Sequence, residues 1–345
     1  MDPLEITELQ GDGIGPELQR SVHKVARALP LNILWREVDW SLDRRESEGD
    51  AAMAEAEAMM RATQLALKYP TITWSQSPNA LIRRRVGFSV IHRPAISIPG
   101  VDSLFKERLN IHIVRVATGG TYDDPGRLAG PDAAVSIRLV EREPCAQAAS
   151  FAFELARKLQ SKEGEGHVTS SSKWTIQKAT DGLFEETVEE VSHGYPDIEH
   201  QSILFDAMLG KIVIAPDAFN VVVTLNEYGD FLSDMASGLV GSMGTGASGN
   251  FAFDDHRHVT VAMFDPAGGT APDIAGQDIC NPTAVLLAFG MLLDHIDRYD
   301  IGHALRLSVL GAIKDGECTK DLKGSLSTTE FTQVIIDRLP DHLPE

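Results

Sequence analysis

The chain has 345 residues, of which 43% are hydrophobic and 23% charged, and its formal net charge is −19. This composition is typical of a globular protein with a large buried core, and the length favours two domains. The acidic balance argues against nucleic acid or an anionic membrane as the main partner, so an anionic ligand must be bound where Arg and Lys cluster.

The N-terminus and the cysteines bear on location. The first ten residues, MDPLEITELQ, lack a basic segment followed by an apolar one, and no stretch of 18 apolar residues occurs, so we expect neither a signal peptide nor a membrane span. Cys145, Cys280 and Cys318 are scattered and odd in number. They predict reduced thiols of a cytoplasmic protein and neither a disulfide framework nor a zinc site.

Apolar runs alternate with amphipathic segments along the chain, which predicts an α/β fold. A helix started by Pro16 precedes a strand over residues 31–38 and one helix over residues 51–68. The glycine-rich residues 238–249 are a hinge, a ligand-contacting loop or an ordinary mobile loop. Further strands are predicted over residues 111–116, 133–140, 168–172, 219–225 and 259–264, and further helices over residues 145–159, 183–191, 228–239 and in three stretches near the C-terminus.

Two carboxylates, Asp230 and Asp234, lie four residues apart on a predicted helix, so both face the same way. Like charges at this spacing destabilise a helix unless a cation lies between them, and Mg²⁺ or Mn²⁺ prefers such oxygen ligands. A solvated acidic face is the alternative, which the pair alone would favour. The preceding buried strand favours a metal site, because α/β folds place ligands at strand ends. A third carboxylate, Asp206, also follows a strand-like run.

Arginine is concentrated in one part of the chain. Arg83, Arg84 and Arg85 are consecutive, Arg93 follows ten residues after Arg83, and Arg115 ends a predicted strand. The planar guanidinium group binds a carboxylate through two parallel hydrogen bonds. Several arginines around a metal would suit a small di- or tricarboxylate, whereas Arg84 and Arg85 are better interpreted as solvated surface charges.

Tyr122 and Lys173 form a candidate pair for proton transfer. Tyr122 lies in a TGGTY turn shortly after Arg115, and Lys173 directly follows the predicted strand HVTSSS. Most Tyr and Lys residues are structural or solvated, so neither is identified in isolation. Near a metal and other cations, however, the pKa of a lysine falls and the amine can act as a base.

Two glycine-rich loops are candidates for binding a nucleotide. Residues 11–17, GDGIGPE, form a turn from strand to helix but lack the GxGxxG pattern, so a Rossmann fold is not indicated. Residues 268–276, GGTAPDIAG, have small side chains that allow close backbone approach, and Asp273 can accept hydrogen bonds from ribose hydroxyls.

Together these motifs resemble the isocitrate/isopropylmalate dehydrogenase family, the metal-dependent β-decarboxylating dehydrogenases. The resemblance runs from residues 11–17 to Asn281 and Pro282 and therefore covers nearly the whole chain. It implies a two-domain α/β fold that is not a Rossmann fold. Residues 1–90 and 241–345 would form the large, cofactor-side domain, and residues 91–240 a smaller domain with a dimerisation arm.

The resemblance assigns a role to each motif. Tyr122 and Lys173 match the catalytic pair, and the metal ligands would be Asp206, Asp230 and Asp234. In the family's dimers Lys and one Asp cross into the partner's site, which would be Lys173 and Asp206 here. The substrate-binding residues would be Ser77, Asn79, Arg83, Arg93 and Arg115. The cofactor-binding residues would be Ile14, Asn226, Gly269, Thr270, Ala271, Asp273, Ile274 and Asn281.

The implied activity is the NAD-dependent oxidation and decarboxylation of a small 2-hydroxy acid, assisted by Mg²⁺ or Mn²⁺. Lys173 would help to remove the hydroxyl proton while NAD takes the hydride, and Tyr122 would protonate the enolate left after loss of CO₂. A non-catalytic regulatory subunit is the rival interpretation. The chain has kept the metal carboxylates and the Tyr–Lys pair, which favours an enzyme.

The pattern S-x-N-x-x-x-R, formed by Ser77, Asn79 and Arg83, matches the isocitrate-type branch, in which Ser and Asn contact the distal carboxylate. The isopropylmalate branch has apolar residues there, because leaving a hydroxyl or an amide unpaired beside an alkyl group costs about 1–3 kcal/mol. We therefore predict a third anionic group on the substrate, as in isocitrate, a homologue or a phosphonate analogue of a specialised biosynthetic pathway. A 3-isopropylmalate-type enzyme, or a Ser and Asn that only cap a helix, are the alternatives.

The residues predicted to bind the cofactor indicate a preference between NAD and NADP, and other positions on the cofactor side depart from the family pattern. Asp273 and Ile274 stand where NADP-using members carry a basic residue and Tyr, which predicts NAD. Gly268 replaces a usual His and Thr175 a usual Asn. Residues 254–258 resemble an insertion beside the cofactor loop.

Overall fold

The computed structural model describes residues 3–74, 77–103, 105, 109–164, 166–241 and 245–344. The strands are β1 (Leu4–Gln10), β2 (Ile33–Asp39), β3 (Leu65–Lys68), β4 (Phe88–Ile96), β5 (Asn110–Val116), β6 (Arg127–Leu128), β7 (Ala134–Val135), β8 (His167–Ser172), β9 (Glu199–Leu204), β10 (Val221–Thr224), β11 (Ala247–Phe253) and β12 (Val259–Pro266). The helices are α1 (Gly15–Ala28), α2 (Leu42–Glu48), α3 (Asp50–Thr63), α4 (Pro78–Val86), α5 (Arg142–Glu163), α6 (Thr180–Ser192), α7 (Phe205–Ile214), α8 (Asn226–Val240), α9 (Thr283–His295), α10 (Tyr299–Lys314) and α11 (Thr328–Arg338).

Within the described residues, ten strands form one sheet in the order β2-β1-β3-β12-β11-β4-β5-β10-β8-β9. The two central strands, β11 and β4, pair antiparallel with each other and with their outer neighbours, whereas the outer strands pair in parallel. β6 and β7 form a separate exposed hairpin. The α/β prediction is confirmed, and the antiparallel centre differs from the mostly parallel sheet of a Rossmann fold.

The sheet joins strands from both chain ends to strands from the middle of the chain. β1, β2, β3, β11 and β12 come from residues 1–90 and 241–345, and the pairing of β11 with β4 connects them to the other five. Strands such as β10, with sequence VVVT, are buried on both faces, which explains their continuous β-branched runs. The division into two domains stays a prediction.

Two predicted elements are wrong in extent. The helix over residues 51–68 ends at Thr63, because Gln64 is left-handed with φ 60°, and the last residues form the buried strand β3. The strand over residues 133–140 shrinks to the exposed β7, which pairs only with β6. The remaining predicted strands and helices are present with shifted ends.

Residues 254–258 are also misplaced by the prediction. They form the turn between β11 and β12, where Phe253 pairs with Val259. The cofactor loop follows Pro266 at the other end of β12, so the turn does not lie beside it. Arg257 instead forms an ion pair with Glu143 at the start of α5, with Nε 3.0 Å from Oε1.

Two further expectations can be compared with the structure. Cys145, Cys280 and Cys318 are free and buried, as the sequence predicts for reduced thiols. Within the described ranges, no helix is long and apolar enough to cross a membrane. The exposed hairpin of β6 and β7 lies within residues 91–240, for which a dimerisation arm is predicted, and the arm stays a prediction.

Candidate active site

Three arginines converge beside the first half of α8. Arg93 on β4 and Arg115 on β5 lie on neighbouring strands, where Ile91 pairs with Arg115 and Arg93 follows two residues later on the same face. Arg93 Nη1 lies 3.3 Å from Asp230 Oδ1, and Arg115 forms an ion pair with the same carboxylate. Burial lowers the pKa of Arg115 to about 10; Asp230 opposes this shift, and the charges of Arg93 and Arg83 add to it.

Arg83 joins this cluster from α4. Its Nε donates a 3.0 Å hydrogen bond to Asn250 Oδ1 on β11. Burial lowers the pKa of Arg83; the charge of Asp265 opposes this shift, that of Arg93 adds to it, and that of Asp230 also opposes it, so Arg83 shares the charged environment of Arg93 and Asp230. The three arginines thus lie close together, with Asp230 paired to Arg93 and Arg115, Asp234 facing Arg93 and Asp265 near Arg83.

Asp230 and Asp234 lie one turn apart on α8, as their spacing predicts. Both face Arg93, whose Nη1 is 3.3 Å from Asp230 and 3.8 Å from Asp234. Burial would raise the pKa of Asp230, but the charges of Arg115 and Arg93 outweigh it and lower that pKa. Asp234 is largely exposed, so oxygen donors of both residues are available to a divalent cation.

Tyr122 contacts the same carboxylate from the TGGTY turn. Its hydroxyl donates a 3.1 Å hydrogen bond to Asp230 Oδ2, and the guanidinium of Arg115 lies 5.7 Å from its ring centroid. Burial and the charge of Asp230 raise the pKa of Tyr122, which keeps the phenol protonated. The predicted proton donor and the predicted metal ligand are therefore in direct contact.

Asn226 lies beneath Arg115 and is buried. Its Oδ1 accepts hydrogen bonds from Arg115 Nε at 2.9 Å and Nη2 at 2.7 Å, and its Nδ2 donates to Gly119 O at 3.0 Å. Gly229 allows this packing, because an added Cβ would lie 2.7 Å from the Arg115 side chain. Asn226 thus orients the arginine, and its predicted contact with the cofactor stays a prediction.

Lys173 and Asp206 form a separate pair at the edge of the sheet. Lys173 follows β8, Asp206 lies in the first turn of α7 after β9, and Lys173 Nζ is 2.7 Å from Asp206 Oδ1. Lys173 lowers the pKa of Asp206. β10 separates β8 from β5, so the pair does not join the arginines around Asp230. In the part of the chain that the structure describes, no three His, Cys, Asp or Glu side chains are grouped to hold a metal.

A cluster that the sequence analysis missed supports the end of β8. Glu185 on α6 accepts hydrogen bonds from Ser170 at 2.6 Å, Ser172 at 2.5 Å and Ser202 at 3.0 Å. Burial raises the pKa of Glu185 against the lowering effect of the three hydroxyls. The serines of HVTSSS were the available signal, because three hydroxyls in a buried strand need polar partners.

The two glycine-rich loops pack against each other. Ile14 N–H donates to Thr270 O at 2.9 Å, and Gly13 cannot carry a side chain because its Cβ would lie 2.0 Å from that oxygen. Glu17 accepts from the backbone N–H of Gly276 at 2.6 Å and of Asp278 at 2.8 Å. Two loops far apart in sequence therefore form one surface.

This surface is open at its glycines. A Cβ built on Gly268 or Gly269 would have no neighbouring atom within 4 Å, and the Asp273 side chain is exposed. Asn281 is engaged in the protein, with Nδ2 2.8 Å from Asp321 Oδ2. Ala271 and Ile274 are partly buried in the loop.

Ser77 and Asn79 begin α4. Ser77 caps the helix, since its Oγ accepts a hydrogen bond from Ala80 N–H at 3.3 Å. The capping interpretation is therefore correct for Ser77, although its hydroxyl hydrogen is not used by this bond. Asn79 Oδ1 is buried and finds no hydrogen-bond partner among the described residues, which leaves an acceptor oxygen there for a hydrogen-bond donor.

Arginines around paired carboxylates with a contacting tyrosine, on a sheet with an antiparallel centre, are what the resemblance to the metal-dependent decarboxylating dehydrogenases leads us to expect. A model of the family described as isocitrate/isopropylmalate dehydrogenase matches residues 5–335, and the chain belongs to this family. The predicted family, fold and class of enzyme are confirmed.

Named relatives extend over almost the whole chain. The chain is 33% identical over 341 residues to the mitochondrial isocitrate dehydrogenase [NAD] subunit alpha of Homo sapiens, covering 97% of this chain and 90% of the relative. It is 34% identical over 342 residues to subunit 2 of the mitochondrial enzyme of Saccharomyces cerevisiae, with the same coverage of 97% and 90%. The crystal structure of isocitrate dehydrogenase from Methylococcus capsulatus is similar with a TM-score of 0.85 at 33% identity, covering 97% of this chain and 99% of that one.

Proposed function

We propose that the protein oxidises and decarboxylates an isocitrate-like 2-hydroxy tricarboxylate, or a phosphonate analogue in a biosynthetic pathway, to a 2-oxo acid and CO₂. The observation that carries this proposal is the convergence of Arg83, Arg93 and Arg115 on one site. Each guanidinium group can bind one carboxylate or phosphonate through two hydrogen bonds. Asp230, Asp234 and Asp265 lie near these arginines, and a cation held by Asp230 and Asp234 would leave the guanidinium groups to bind a polyanion.

NAD is the proposed oxidant. The names of the relatives specify NAD, and the exposed carboxylate of Asp273 disfavours the additional phosphate of NADP. The open space above Gly268 and Gly269 fits a nucleotide that approaches the backbone closely. The other residues assigned to the cofactor, Ile14, Asn226, Thr270, Ala271, Ile274 and Asn281, stay assigned by resemblance.

Mg²⁺ or Mn²⁺ would be held by Asp230 and Asp234 together with Asp206 of a second copy of the chain. When bound, it would polarise the substrate's hydroxyl and stabilise the enolate. The donor set fits, because Asp230 and Asp234 lie one turn apart on α8 and present carboxylate oxygen atoms, the ligands that Mg²⁺ and Mn²⁺ prefer. In one chain, Asp206 is separated from the arginine cluster by β10, so it would reach an Asp230 only in a second copy. This separation supports a homodimer with shared sites.

Each residue of the proposed site then has its own role in the reaction. Arg83, Arg93 and Arg115 bind and orient the anionic groups, and Asn226 fixes Arg115. Lys173 from the second copy takes part in removing the hydroxyl proton, and Tyr122 returns a proton to the enolate carbon. The contact of Tyr122 with Asp230 supports catalysis over a purely regulatory role, because it places a proton donor beside the anion site.

A substrate comparison tests this proposal. We expect kcat/KM with NAD and Mn²⁺ to be highest for isocitrate or a phosphonomethyl-malate and lowest for 3-isopropylmalate. Asn79→Ala should lower kcat/KM for the preferred acid, and Ser77→Ala should in addition weaken the cap of α4. A preference for 3-isopropylmalate that neither substitution changes would overturn the substrate assignment. Full activity after treatment with EDTA would overturn the metal assignment.

A further inference from the structure

A buried charged path begins at the turn that carries Tyr122. The residue before it, Thr121, donates two hydrogen bonds to Glu227 Oε1, from its backbone N–H at 3.1 Å and from its hydroxyl at 3.2 Å. Gly120 accommodates this carboxylate, because an added Cβ would lie 2.1 Å from Glu227 Oε2. Glu227 therefore holds the TGGTY turn against α8.

The path continues through Arg138 to the residue that ends β8. Arg138 forms ion pairs with Glu227, Nε to Oε1 at 3.3 Å, and with Asp181, Nη1 to Oδ1 at 3.0 Å. Asp181 Oδ2 accepts the backbone N–H of Lys173 at 2.7 Å. Tyr228 closes the path, since it donates to Asp181 at 3.0 Å and lies under the guanidinium of Arg138 at 4.8 Å.

Burial makes these interactions interdependent. The side chain of Asp181 is fully buried, and those of Glu227 and Arg138 are 9% and 14% exposed. A buried charge is tolerated only when it is paired, so we expect the loss of one acid to change the position of the arginine and hence its ion pair with the other acid. One guanidinium serves both carboxylates, and each carboxylate holds the backbone next to a proposed proton-transfer residue.

We propose that Arg138 is a positioning residue that couples Tyr122 to Lys173 of the same chain. The proposal rests on the proposed function for the roles of these two residues. If Lys173 acts in the partner's site, Tyr122 and Lys173 of one chain serve different active sites. The path through Glu227, Arg138 and Asp181 then connects the two sites of the dimer.

Hydrogen exchange of two backbone amides tests the coupling without substrate. Of the two backbone contacts, Glu227→Gln directly alters only the one with Thr121, and Asp181→Asn only the one with Lys173. We expect Glu227→Gln to speed exchange at the Lys173 amide and Asp181→Asn to speed it at the Thr121 amide, each by roughly fivefold or more, because coupling is reciprocal. Arg142→Met, which removes an exposed arginine at the start of α5, is the matched control and should change neither amide.

Partial reactions test the consequence for catalysis. Exchange of the C3 protons of the 2-oxo product with solvent reports on Tyr122, and single-turnover hydride transfer reports on Lys173. Arg138→Lys keeps the positive charge but loses the planar guanidinium group that pairs with both carboxylates at once. We therefore expect both rates to fall about 10- to 100-fold with little change in the KM for NAD. Tyr122→Phe should lower mainly the exchange, and Lys173→Met mainly the hydride transfer.

The outcomes separate this inference from the proposed function. If each acid variant affects only its own amide, or if Arg138→Lys slows one partial reaction alone, the coupling is wrong. If Tyr122→Phe and Lys173→Met leave both rates unchanged, the proposed roles are wrong, whereas the amide measurement still decides the coupling. Thermal unfolding of every variant identifies a loss of rate that is due to misfolding.

Discussion

The arginine cluster around Asp230 and the Lys173–Asp206 pair differ in how many side-chain partners each finds within one chain. The cluster joins β4, β5 and α8, which are neighbours, and Asp230 is contacted by Arg93, Arg115 and Tyr122. The pair lies at the outer edge of the sheet, with exposed fractions of 31% for Lys173 and 65% for Asp206. Strand order therefore decides which predicted residues meet.

The predicted catalytic and metal-binding residues therefore lie on two separate surfaces of one chain. Lys173 and Asp206 neutralise each other at one edge, and Asp230 is neutralised by arginines elsewhere. A second copy that brought its Lys173 and Asp206 to this cluster would add both a base and an oxygen ligand. Substitutions on the two surfaces can establish whether they act together.

Asp230→Asn should have the largest effect. It removes the charge that holds Arg93, Arg115 and the Tyr122 hydroxyl, and one proposed metal ligand. We expect kcat/KM to fall about 10³-fold, as for the loss of a group that stabilises transition-state charge. Asp255→Asn, on the exposed β11–β12 turn, is the control and should be silent. An Asp230→Asn variant with wild-type kcat/KM would refute the importance of the cluster.

Mixed dimers test the two surfaces directly. Asp230→Asn and Lys173→Met are each expected to be inactive alone, but a heterodimer has one site with both wild-type residues if Lys173 crosses. After random reassociation of equal amounts, about a quarter of wild-type activity should return, because half the dimers are heterodimers and each has one intact site. No recovery after verified subunit exchange would place Lys173 and Asp230 in the same chain's site.

The two surfaces also differ in which of their features the sequence could predict. The spacing of Asp230 and Asp234 predicts a shared helix face, since that depends only on local geometry. The burial of Asn226 under Arg115 and the support of β8 by Glu185 depend on which strands are neighbours, which periodicity does not encode. A cytoplasmic location, inferred from the cysteines, stays a prediction.

Secondary structure was missed for similar reasons. β4 is a central strand although it contains Arg93 and Pro94, and proline in a strand normally indicates an edge. β3 continues an apolar run after α3, and only the left-handed Gln64 separates them. In both places tertiary pairing overrides the local preference of the sequence.

A change in the cofactor loop should leave both surfaces unaffected and alter only the nucleotide preference. Asp273→Arg replaces a repulsive carboxylate by a charge that can bind the additional phosphate of NADP. We expect the ratio of kcat/KM for NAD to that for NADP to fall by about tenfold or more, with an unchanged KM for the hydroxy acid. Asp273→Asn should produce a smaller change in the same direction. A wild-type preference for NADP would show that Asp273 does not face the ribose.

The smallest effect is expected for Arg257→Ala, which lies on neither surface. The turn of residues 254–258 and the cofactor loop lie at opposite ends of β12, and Arg257 binds Glu143 on α5. Both side chains of this ion pair are more than a third exposed, so solvent screens it and its loss should cost less than about 1 kcal/mol of the free energy of unfolding. The KM for NAD and kcat should equal the wild-type values, as measured by steady-state kinetics beside chemical denaturation. Because the sequence alone places this turn beside the cofactor loop, a clear rise in the KM for NAD would favour that placement over the strand pairing seen here.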